Sequence, residues 1–123
     1  MTTEADQTYN GWANYETWAA SLHLSNDHGL YLTCEEAAAN AWAAAEHAPY
    51  VETAEDRYDR AVSILVDFLS DDLFGEWADA MGAGDDPGPV ARMAVRDVGS
   101  LWRVDWRSVA TPYVDDAREG EEA

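Results

Sequence analysis

The stretch from Asn10 to Tyr31 constrains this chain most. Within it Trp12, Tyr15, Trp18 and Leu22 recur at three- and four-residue steps, the spacing that lines side chains along one side of an α-helix. So many aromatics on one face call for other apolar faces to cover them, and the stripe reads as core. The alternative is a recognition surface, because exposed aromatics anchor protein interfaces. Asn14 suits the N-cap of this helix and Gly29 the left-handed residue that ends one, which places it at about Tyr15 to Ser25.

The rest of the chain supplies partners of the same kind. Thr33-Cys34-Glu35-Glu36 has the pattern of a capping box, followed by an alanine-rich helix over Ala37 to His47 with Trp42 as its main bulky contact and Pro49 as its stop. Thr53-Ala54-Glu55-Asp56 opens a third helix, in which Tyr58, Ala61, Val62, Leu65, Phe68 and Leu69 repeat at helical spacing. Asp71 to Met81 continues helically after a bend, with Gly75 a weak point. The Gly- and Pro-rich run from Gly82 to Pro89 is a loop. Pro89 then suits the first turn of a helix that Gly99 stops, and Asp105 caps a last one carrying Trp106, Val109, Ala110, Tyr113 and Val114, kinked at Pro112. No strand-like alternation and no internal repeat is present. The predicted fold is all-α, a compact bundle of about five to six short helices. It occupies residues 10–114, between a flexible N-terminal arm over 1–9 and a frayed acidic tail over 115–123.

Charge narrows the function classes. The formal net charge is −18, from 25 acids against seven arginines with no lysine. Such a surface repels nucleic acid and anionic membranes and attracts basic protein surfaces. A chain that is 47% apolar with six tryptophans still buries a core. The single cysteine, Cys34, makes no intrachain disulfide. Met1 to Thr8 has no apolar signal core and no later run is long enough to span a bilayer, so the expected location is the cytoplasm. No nucleophile sits with a base and no phosphate loop is present; an enzyme is not expected, nor a cofactor. His23, His28, Cys34 and His47 fit none of the usual zinc spacings, and no metal site is assigned. Asn14, Glu16, Asn26 and Asp27 are explained by capping and turn formation, with a polar site as the alternative.

Asn10-Gly11-Trp12-Ala13-Asn14-Tyr15-Glu16-Thr17-Trp18, followed by Leu22-His23-Leu24-Ser25-Asn26-Asp27-His28-Gly29-Leu30-Tyr31, resembles the signature of a family of small proteins encoded by phages, prophages and plasmids. His28 stands where that family often has Glu. A second stretch, Trp102-Arg103-Val104-Asp105-Trp106-Arg107-Ser108-Val109-Ala110, is similar to a second family segment. The resemblance implies a mobile-element origin and a cytoplasmic setting, with no activity to carry over.

The acids are unevenly spread. Glu52, Glu55, Asp56, Asp59, Asp67, Asp71, Asp72, Glu76 and Asp79 form a near-continuous row, whereas Arg92, Arg96, Arg103 and Arg107 gather further on. Helical neighbours three or four apart lie about 5–6 Å apart, a spacing broadly similar to that of phosphates along a DNA strand. The row is therefore the candidate partner-binding site. The expected function is inhibition, by DNA mimicry, of a basic nucleic-acid-binding defence complex of restriction or CRISPR type, by a monomer or homodimer. The alternative is an interaction or scaffolding protein of a halophilic or high-GC phage or host, whose acids serve only solvation.

Overall fold

The computed structural model describes residues 9–122. Among these the chain forms five helical rods and no strand beyond an isolated Tyr9–Trp12 bridge. The first two are α1 (Tyr15–Asn26) and α2 (His28–Ala45). The third joins α3 (Ala54–Asp67), a π-helical stretch (Phe68–Gly75) and α4 (Glu76–Gly82) without interruption. Then come α5 (Pro89–Val98), a 3₁₀ turn (Leu101–Arg103) and α6 (Trp106–Glu122). The all-α class is as expected. The proposed arm lies outside the described residues except for Tyr9.

The centre is built where α2, α3 and α6 pack on one another, while α1 bridges α2 and α5. On α2 the buried residues are Cys34, Ala38, Ala41, Trp42 and Ala45, so its inner face is mostly small and neighbouring helices come close. Ala61, Val62, Leu65, Leu69 and Phe74 from the third rod, with Val109, Ala110, Tyr113 and Val114 of α6, fill the space this leaves.

The aromatic stripe of α1 sits differently from the expected core face. The fully buried positions are Thr17, Ala19, Ala20 and Leu24. Trp12 and Trp18 pack on the core as half-buried residues, and Tyr15 is exposed. Instead the aromatics cover one another: Tyr9 lies 5.2 Å from Tyr15 and 4.8 Å from Trp18, centroid to centroid. Tyr9 reaches them through a tight turn in which Asn10 and Gly11 have φ of 49° and 88°, values that suit the Asn-Gly pair.

Three boundaries differ from the sequence reading. The second helix begins at His28 rather than after Thr33, because the Asp27 carboxylate accepts from Leu30 N–H at 2.9 Å and caps it there. Gly29 is then inside the helix, and the Thr33 hydroxyl, with no free turn to cap, donates to the Gly29 carbonyl at 3.0 Å. The bend expected before Asp71 takes the form of the π-helical stretch, in which Leu69 and Phe74 are both buried. The tail is ordered helix to Glu122, since Glu121 accepts two hydrogen bonds from Arg57, each of 2.9 Å. Pro112 is accommodated within α6: it has no N–H for the Ser108 carbonyl, which accepts from the Thr111 hydroxyl at 3.4 Å.

Gly75 tests the π-helical stretch. A Cβ there would stand 2.7 Å from the Ser70 carbonyl oxygen, backbone that cannot swing aside. In an ordinary helix Gly→Ala is stabilising by about 1 kcal/mol. Here Gly75→Ala is expected to lower the thermal midpoint, by about 5–10 °C, through this clash. A raised midpoint in thermal denaturation would show that the stretch is not held as described.

Candidate functional site

The nine acids of the row all fall on the third rod or its entry, and the structure divides them into two classes. Asp56 is structural: it accepts from the Glu52 and Thr53 N–H groups at 3.1 Å each, while its own N–H donates to the Thr53 hydroxyl at 3.0 Å. Those backbone donors hold its carboxyl below the usual range. Asp59 is paired with Arg107 at 2.8 Å. The other seven, Glu52, Glu55, Asp67, Asp71, Asp72, Glu76 and Asp79, are exposed, and their carboxylates have no hydrogen-bond or ion partner among the described residues.

The cations explain why. Of the seven arginines, four are held by acids outside the row, Arg57 by Glu121, Arg92 by Asp86, Arg103 by Glu16 and Arg118 by Asp115, and Arg107 is held by Asp59 within it. The segment from 61 to 91 carries seven acids with no arginine or lysine. The ridge from Asp67 to Asp79 is therefore a bare anionic surface. The expected basic side is largely neutralised, because Arg92, Arg103 and Arg107 are all in ion pairs.

Several contacts were not read from the sequence. Asp97 accepts from the Tyr15 hydroxyl and bonds His23 Nε2, the latter at 2.8 Å. Tyr15 first, then His23, keep the Asp97 carboxyl below the usual carboxylate range. Tyr15 and His23 are eight positions apart, two helical turns, so one face of α1 presents both. Asp97 lies in a distant segment, and only the packing of α5 on α1 brings it there. Arg57 likewise donates to the Trp42 carbonyl at 3.0 Å and lies 3.8 Å over the indole centroid, joining α2, α3 and α6.

The four residues weighed as zinc ligands do not converge. His23 faces Asp97, His47 lies beside Glu46, and Cys34 is buried, where desolvation pushes its thiol up to about 11. Among the described residues no three potential ligands form a cluster. Asn14 and Asp27 act as helix caps and Glu16 pairs with Arg103 at 3.1 Å. No helix among the described residues is long and apolar enough to cross a membrane.

A family model described as a family of unknown function, DUF7249, matches residues 5–86. The chain belongs to this DUF7249 family. The match takes in α1, α2 and the whole third rod with its acidic ridge, and stops before α5. No curated protein and no solved structure matches the chain.

The Asp97 contacts make stability pH-dependent in a defined direction. A carboxyl whose folded pKa is depressed stabilises the fold above its unfolded value of about 3.9, and that contribution is lost as pH falls through the lower folded value. Asp97→Asn is expected to be less stable than wild type at neutral pH, with the gap shrinking once the pH drops below about 3.9. Denaturant titrations at several pH values measure this, and a gap independent of pH would contradict it.

Proposed function

We propose that this protein is a non-catalytic, mobile-element-encoded inhibitor acting in the cytoplasm. Its ridge from Asp67 to Asp79 enters the cationic groove of a nucleic-acid-binding defence complex, of restriction or CRISPR type, and competes with DNA there. The observation that carries the reading is the contrast between consumed cations and bare acids. Five of the seven arginines are spent on pairs within the molecule, while the third rod faces solvent with Asp67, Asp71, Asp72, Glu76 and Asp79 unneutralised. Holding like charges together on one rod costs self-repulsion, which a positively charged partner relieves. The row is shorter than the sequence spacing suggests, because Asp56 and Asp59 serve the fold.

Exchanging Asp67, Asp71 and Asp72 together for asparagine is expected to leave the helical circular dichroism unchanged, since all three are exposed. Association with partners captured from a lysate should slow about tenfold, and its salt dependence should flatten. Duplex DNA should displace the wild-type protein. Failure of DNA to compete would remove mimicry, and unchanged kinetics in the triple variant would remove this ridge from the contact.

The second reading is an interaction or scaffolding protein whose acids serve solvation in concentrated salt. Exposed aromatics away from the ridge favour it: Trp102 is 82% exposed and Tyr50 95%. Folding as a function of salt separates the two, because a protein held together by screening loses its fold when screening is withdrawn. Cooperative thermal unfolding at about 0.15 M salt is expected for the inhibitor. A chain that is unfolded there and folds only in molar salt belongs to the second reading.

A further inference from the structure

Between α2 and the third rod runs an open groove of about 630 Å³. Its floor is apolar, with Ala37, Ala41 and Ala44 from α2 facing Ile64 and Phe68. Its rim is acidic, with Glu36 on the α2 side and Asp67 and Asp72 on the other, and no cation lines it. None of these three carboxylates has an ion partner among the described residues. We infer that this groove receives a basic amphipathic helix of a partner protein, small apolar residues down and lysine or arginine flanking them.

Shape and charge both point to that occupant. Ala37, Ala41 and Ala44 stand in one line along α2, covering two turns or about 10 Å. Ile64 and Phe68 are four positions apart on the facing rod. An inserted helix thus meets two apolar ridges, the arrangement in which side chains at helical spacing anchor a ligand helix. Alanines on the floor let its backbone come close, and the rim carboxylates would fix its cations. A second copy of this chain does not fit, since each copy carries −18 and brings acid to acid. The segment 1–8 does not fit either, as it holds Glu4 and Asp6 and no arginine or lysine. A helix seated here requires no imitation of nucleic acid, so this inference goes beyond the proposed function and does not depend on it.

The test uses a synthetic helical peptide of about 15 residues with leucine and alanine at helical spacing between flanking lysines. Its control is the same composition scrambled, equal in charge but not amphipathic. Fluorescence anisotropy is expected to give about tenfold tighter binding of the ordered peptide. Amide shift changes should centre on Ala37, Ala41, Ala44 and Phe68. Ala44→Trp fills the groove from an exposed position without touching an acid, and Asn40→Arg sets a cation at the lining. Each should abolish the preference for the ordered peptide; should Ala44→Trp fail to fold, Asn40→Arg decides alone. Equal binding of both peptides, or a preference that survives filling the groove, would overturn the inference.

Discussion

The Thr17 hydroxyl is the contact on which the arrangement of the two ends depends. It is fully buried, and no other polar side chain among the described residues is buried to that degree. It donates to the Asn14 side-chain oxygen at 2.6 Å and accepts from Asp105 N–H at 2.8 Å. Asn14 caps α1 with that same oxygen and donates its amide to the Arg103 carbonyl at 2.8 Å. Asp105 in turn holds Ser108 N–H and hydroxyl at 3.3 and 2.7 Å at the start of α6. One small network therefore starts two helices and joins segments almost ninety positions apart. A hydroxyl so placed must keep its partners, because burying it unpaired costs several kcal/mol, on the order of 2–7.

That network also joins two stretches far apart in the chain. Asn14-Tyr15-Glu16-Thr17 and Arg103-Val104-Asp105 are the two halves of one junction, reinforced by the Glu16–Arg103 pair at 3.1 Å. Tyr15 extends it to Asp97 and hence to α5. Residues that read as a dense, conspicuous pattern thus serve architecture, and Glu16 among them holds Arg103 at the junction. The ridge on the third rod is left to solvent as the complementary outcome.

Local signals carried much of the fold. Asn14, Thr53 and Asp105 cap the helices they were expected to cap, since each needs only its own turn of backbone. Pro89 and Gly99 bound α5 for the same reason. The misplaced start of α2 shows where local reasoning fails: two capping patterns compete within a few residues, and the earlier one, at Asp27, wins by letting Leu30 and Tyr31 pack on the core. The tail was unreadable because its order comes from Arg57, sixty-four positions away from Glu121. For the site, the acids and their rod were legible from spacing alone. Which of them are bare was not, because that depends on arginines brought in by tertiary packing.

The π-helical stretch links core to ridge. Widening the rod by one residue lets Leu69 and Phe74 both be buried, although five positions do not return to one face of a regular α-helix. Phe74 then stacks at 5.0 Å on Trp77 and 5.2 Å on Trp106, locking the rod to α6. The residues between those two buried anchors, including Asp71 and Asp72, are turned outward as a consequence. A regular helix over the same segment would carry either an anchor to the surface or an acid toward the core. The packing requirement at Leu69 and Phe74 therefore sets where the acids point, and a side chain added at Gly75, which would meet the Ser70 carbonyl, acts on the acidic surface without altering any charge.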